Sequence, residues 1–130
     1  MPAHSDTPIE RLDTSARYAQ AVRSGDHLHI GGQLAYENRH GSIQAQAQEI
    51  LARIDGYLEA VGLGRSSLVS VAVYFNEAVD YEGFNEVWDG WIEPADVPAR
   101  VCVVTPLIWP GYRVEVTAVA YVGADDAAGA

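Results

Sequence analysis

The segment SLVSVAVYF, Ser67–Phe75, decides how this chain folds. It is rich in β-branched residues and almost continuously apolar, the pattern of a strand with neighbours on both sides in a sheet. Ser70, Ala72 and Tyr74 alternate with Val69, Val71, Val73 and Phe75, so neither face of the strand carries charge. Both faces therefore need cover.

Immediately downstream, VDYEGFNEVWDGWI (Val79–Ile92) places Phe84, Val87, Trp88 and Trp91 on one helical face, and Pro94 and Pro98 stop the helix. Upstream, Gly41-Ser42 opens the clearest helix of the chain. Ile43, Ala47, Ile50, Leu51, Ile54, Leu58 and Val61 recur at helical spacing, and Gly62 stands at the C-cap. Ahead of it lie a short strand, Ile9–Asp13, and a hairpin of Tyr18–Arg23 and His27–Gly31 about the turn Ser24-Gly25-Asp26. Two strands, Arg100–Thr105 and Tyr112–Val122, close the chain.

The order β-β-β-α-β-α-β-β predicts an α+β domain, a mixed sheet with two helices on one face. The remaining face is expected to be buried against another copy of the chain. Residues 1–8 and the small, acidic tail 123–130 read as flexible ends around one domain, 9–122.

Composition removes several function classes. The formal net charge of -10 opposes sequence-independent nucleic-acid binding, which needs a basic surface. No apolar run approaches the roughly 20 residues that span a bilayer, and the N-terminus lacks a basic-then-apolar leader, so no membrane partner is expected and the cytoplasm is the expected compartment. All 8 basic residues are arginine. Without lysine there is neither Schiff-base chemistry nor a P-loop, and carboxylate recognition falls to arginine or to backbone N–H groups. Cys102 is the single cysteine, which excludes an intrachain disulfide and a cysteine-rich metal site. The four histidines, His4, His27, His29 and His40, form no metal-ligand pattern, and no metal is expected.

The chemistry-bearing residues lie in PARVCVVTPLIWPGYRVEV, Pro98–Val116. A simple hairpin centred near Leu107-Ile108 would set Arg100 and Glu115 opposite each other on one face. They read either as a structural ion pair or as two ends of one pocket. Cys102 shares a strand face with Arg100 and, flanked by valines, reads as a small buried hydrophobe. Trp109, between Ile108 and Pro110, is either an aromatic wall for a ligand or a loop anchor.

Four sets of residues carry a family resemblance. They are Pro98-Ala99-Arg100 with Cys102 and Val114-Glu115-Val116, Tyr18 followed by Gln20, Gly32-Gln33, and Phe84-Asn85. In these the chain resembles the RidA (YjgF-like) reactive-intermediate deaminases over nearly the whole domain, and its NEVWDGW stretch is most similar to the YoaB-like branch. The resemblance implies a chorismate-mutase-like fold assembled as a homotrimer, with ligand pockets in the clefts between subunits. It implies cofactor-free hydrolysis of enamines and imines, such as 2-aminoacrylate and 2-iminopropionate, to 2-keto acids and ammonia. Arg100 would clamp the substrate carboxylate and Glu115 would activate water. The main chain at Cys102 would bind the reacting group, and Tyr18, Gly31, Gly32 and Asn85 would line the cleft.

The chain departs from the family pattern at three places: Gly31 where serine is common, Leu34-Ala35 in place of an apolar-proline step, and the bulky Pro106 with LIWPGY after it. These departures point to altered pocket size and substrate preference. A non-enzymatic trimer that binds or senses a carboxylate metabolite is the alternative, although a pure carboxylate binder needs Arg100 and not Glu115.

Overall fold

A computed structural model describes residues 9–123. Six strands and two helices follow in order: β1 (Ile9–Thr14), β2 (Ala19–Ser24), β3 (His27–Gln33), α1 (Ile43–Ala60), β4 (Leu68–Phe75), α2 (Tyr81–Trp91), β5 (Ala99–Val104) and β6 (Val114–Tyr121). Element order and type match the sequence expectation. The expected flexible segment 1–8 lies outside the described residues, as does all of the expected tail except Gly123.

One sheet holds all six strands in the order β1-β2-β3-β6-β4-β5. The strand read first, β4, is interior, antiparallel to β6 and parallel to β5. A parallel neighbour requires a crossover, and α2 supplies it. The expected hairpin of the last two strands is therefore overturned: β6 pairs with β3 and β4, and β4 lies between β5 and β6. The physical reason is in the sequence. Val114, Val116, Ala118 and Ala120 are all buried and suit a strand with a partner on each edge, while the long connection with Pro106 and Pro110 is no tight hairpin turn.

Helix α1 begins where Ser42 Oγ accepts the Ala45 N–H at 3.1 Å, and ends before Gly62, whose φ of +78° is the left-handed conformation that glycine adopts without cost. Its apolar stripe, Ile43 to Leu58, is buried against Leu28 and Ile30 of β3 and the inward row of β6. Helix α2 covers the far end of the same face, where Phe84 packs edge-on to Phe75 of β4 with ring centroids 5.5 Å apart. Val71, Val73 and Phe75 of β4 thus point into the helix-covered core.

The other face carries Val101 and Val103 of β5, Ser70, Ala72 and Tyr74 of β4, and Glu115, Thr117, Val119 and Tyr121 of β6. No element among the described residues covers it, and Val101 is 54% exposed. Across β4, β5 and β6 it is mainly apolar and carries no charge but Glu115, as expected from the uncharged alternation in β4, while β3 adds His27 and His29 opposite Tyr121 and Val119.

Candidate active site

Register fixes where the two singled-out charges go. Arg100 is opposite Val71, a core residue, and so projects to the helix side of the edge strand β5. Glu115 is opposite Tyr74 and projects to the open side. Two interstrand spacings of about 4.8 Å and three residue steps of about 3.3 Å separate them within one chain. The expected cross-strand pair on one face is thus corrected: the sheet itself lies between them. The ion-pair reading falls with it.

Around Arg100, α2 presents Tyr81, Asn85 and Trp88 at i, i+4 and i+7 spacing. The guanidinium carbon sits 5.0 Å from the Trp88 ring centroid and 5.9 Å from that of Tyr81, and Nη2 reaches the Tyr81 hydroxyl at 3.5 Å. Nη1 is buried and has no hydrogen-bond partner among the described residues. Burying such a donor unpaired is costly, so the aromatic cradle holds a cation whose Nη1 still lacks an acceptor. Cys102, two residues on, packs against the core. Burial pushes its thiol above the usual range, against the opposing pull of Arg100, which keeps it protonated and unreactive.

Around Glu115 the decisive neighbour is Gly32. The ladder between β3 and β6 is irregular between Ile30 and Gln33, and the Glu115 carboxylate lies over this break. A Cβ at Gly32 would run into Glu115 Oε2, so only glycine leaves the carboxylate its place. Behind the break, the fully buried Gln33 donates to Gln20 Oε1 at 2.9 Å and to Gly31 O at 3.1 Å, and accepts from Arg53 Nε of α1 at 3.0 Å. The glycine pair is thereby tied to the helix layer. Desolvation raises the Glu115 pKa above that of an ordinary carboxyl. A cavity of about 310 Å³ opens beside it, lined by Tyr74, Thr105, Pro106, Leu107, Ile108 and Glu115. Gly32→Ala is expected to lower turnover by about tenfold or more by displacing the Glu115 carboxylate, a neighbour with a flexible stem. Activity and thermal denaturation measured together would separate this from a folding defect, since the melting temperature should hold.

The sequence-singled residues therefore fall into two groups. Arg100, Cys102 and Asn85 belong to the β5–α2 side, and Glu115, Gly31 and Gly32 to the open side. Tyr18, 58% exposed just before β2, adjoins Tyr36; burial raises the Tyr36 hydroxyl, and Tyr18 adds to that rise. Trp109 is 56% exposed, which excludes its reading as a packed anchor. The sequence reading puts Trp88 on the apolar face of α2 and leaves Tyr81 out, although Tyr81, Asn85 and Trp88 share one helical spacing.

Comparison with known proteins agrees over the whole described domain. The family model described as Endoribonuclease L-PSP matches residues 8–122. The RutC family protein YoaB of Escherichia coli K12 is 32% identical, covering 88% of this chain and 98% of its own length. A crystal structure of an uncharacterised Pseudomonas aeruginosa protein superposes with a TM-score of 0.85 at 38% identity, over 89% of this chain and 100% of that one. A YjgF-family protein from Neisseria meningitidis superposes with a TM-score of 0.84 at 28% identity, over 89% and 96%.

Proposed function

The chain belongs to the Endoribonuclease L-PSP family, the YjgF/RutC group, and from that premise we propose that it hydrolyses reactive 2-imino acids and their enamine tautomers to 2-keto acids and ammonia. The observation that carries the reading is the buried, unpaired Nη1 of Arg100 in its aromatic cradle. A planar guanidinium with a free N–H there donates to a carboxylate oxygen, and Cys102 contributes its main chain and not its thiol.

The chemistry balances without a cofactor. Glu115 takes a proton from water, whose oxygen adds to the C=N carbon. Glu115 passes that proton to the imine nitrogen, giving the carbinolamine, then takes the hydroxyl proton and delivers it to the amine, so that the C–N bond breaks, ammonia leaves and the C=O bond forms. The raised Glu115 pKa makes it a stronger base than a solvated carboxylate once ionised. Asn85, Tyr18 and the Gly31-Gly32 backbone orient the substrate. No helix among the described residues is long and apolar enough to cross a membrane, and the cytoplasm suits a hydrolase of metabolic intermediates.

Because one chain holds Arg100 and Glu115 on opposite faces of its sheet, the complete site is shared between copies. The uncovered apolar face supports assembly as a homotrimer with active clefts between subunits. The test uses an amino-acid oxidase to release imines, and semicarbazide to trap those the protein has not hydrolysed; the protein should suppress the semicarbazone signal. Arg100→Ala and Glu115→Gln, each inactive alone, should regain part of the activity when unfolded and refolded together, since mixed assemblies hold some clefts with both groups. A mixture no more active than its components would mean that one chain supplies both residues.

The name endoribonuclease attached to the family finds little support in this chain. A net charge of -10 with no lysine leaves no basic track for a phosphate backbone.

A further inference from the structure

The connection 105–113 between β5 and β6 is bulky and apolar, yet it is fastened at both ends. At its start Thr105 N donates to Phe75 O at 2.9 Å, and Leu107 N donates to Asn76 Oδ1 at 3.3 Å. At its end Arg39 Nε donates to Pro110 O at 2.8 Å, and His40 N to Gly111 O at 3.0 Å. The fully buried Gln46 of α1 donates to Gly111 O at 2.9 Å and accepts from Arg113 N at 2.8 Å. Pro106 and Pro110 remove further freedom between these points.

What this clamp holds in place is the wall of the cavity beside Glu115. Pro106, Leu107 and Ile108 form that wall, and no cationic side chain among the described residues lines it. Ile108 is 75% exposed at its rim, an apolar side chain held in solvent by a connection that the hydrogen bonds keep from collapsing. A substrate carboxylate has no partner in this cavity and belongs with Arg100. What fits against the wall is the rest of the molecule.

We infer that the 105–108 wall is the side-chain pocket of the enzyme, and that it selects imines of bulky apolar amino acids, of leucine or phenylalanine type, over the alanine-derived imine. The inference rests on the imine hydrolysis proposed above. A preformed apolar wall loses little entropy on binding, and the carbons it covers together contribute about tenfold or more in discrimination. The small imine leaves the wall wet and gains none of this.

The assay is again oxidase-generated imine with semicarbazide capture, now with alanine, leucine and phenylalanine as sources and kcat/KM compared between them. The leucine or phenylalanine imine should be favoured over the alanine imine by about tenfold or more. Leu107→Ala and Ile108→Ala should each cut the leucine-to-alanine ratio several-fold. Hydrolysis with a preference for the alanine imine, or a ratio that neither substitution changes, would overturn the inference and leave the deaminase reading standing. Failure to hydrolyse any imine would overturn both.

Discussion

Arg100→Ala is expected to lower kcat/KM for 2-imino acids by about 100-fold while leaving the fold intact. The magnitude follows from losing a charge-assisted hydrogen bond to a carboxylate, worth about 1.5–3 kcal/mol. Arg100→Lys should recover only part of the loss, because an ammonium keeps the charge and lacks the planar fork. The stability side has an unusual sign. Arg100 has no carboxylate partner among the described residues, and its buried Nη1 is unpaired. Arg100→Met, which keeps contact with Trp88 and removes the orphan donor, should therefore melt no lower than the parent protein. A guanidinium that served structure would show the reverse: a clear drop in melting temperature with activity following it. Thermal melts beside the imine assay decide the matter.

Glu115→Gln is expected to reduce kcat by about 10²–10⁴-fold, the range supplied by a positioned general base. The pH profile of the parent protein should rise as Glu115 ionises, with a midpoint above the ordinary carboxyl value because desolvation raises its pKa. Linkage makes a second, opposite claim. A carboxyl whose folded pKa is raised contributes its stability below the unfolded pKa, and that contribution is lost as pH rises through the folded value. At neutral pH the ionised Glu115 is thus a burden on the fold, and Glu115→Gln should unfold at a higher temperature than the parent. The gap between the two proteins should close at pH values below about 4, where both carry a neutral side chain. A melting point that falls on substitution at neutral pH would contradict the desolvated-base assignment.

Much of this architecture was legible from hydrophobic period alone. The stripe from Ile43 to Leu58 and the cap residues Ser42 and Gly62 defined α1, and the valine-rich run at Ser67–Phe75 defined an interior strand. Pairing was not legible. Period two says which side chains share a face of one strand, and is silent on which strand lies beside it. A hairpin for the last two strands was the local solution; the observed order is a long-range one, with β4 inserted between them. That difference relocated Arg100 relative to Glu115. Arg100, Cys102, Glu115 and Trp109 stood out in the sequence itself, and the family spacing, which survives a change of pairing because it records chain positions and not contacts, added Tyr18, Gly31, Gly32 and Asn85. Tyr81 and Trp88 carried a visible signal in their helical spacing, while the buried Gln46 carried none, since a polar residue inside an apolar stripe reads as the solvent side until its partners on the distant loop are known.

The parallel pairing of β5 leaves Ala99–Val104 at the rim of the sheet, a short run rich in valine with one side of its backbone unpaired among the described residues. Such an edge is a template for further strands, and chains commonly guard it with lysine, of which this one has none. Its guards are the prolines at positions 98 and 106, which bracket the run and cannot donate to an incoming ladder. A chain that fails to find its partners would expose this rim together with the apolar face beside it. The assembly proposed above would then also protect against aggregation, and substitutions that weaken it should appear first as insoluble protein in the cell and only afterwards as lost catalysis.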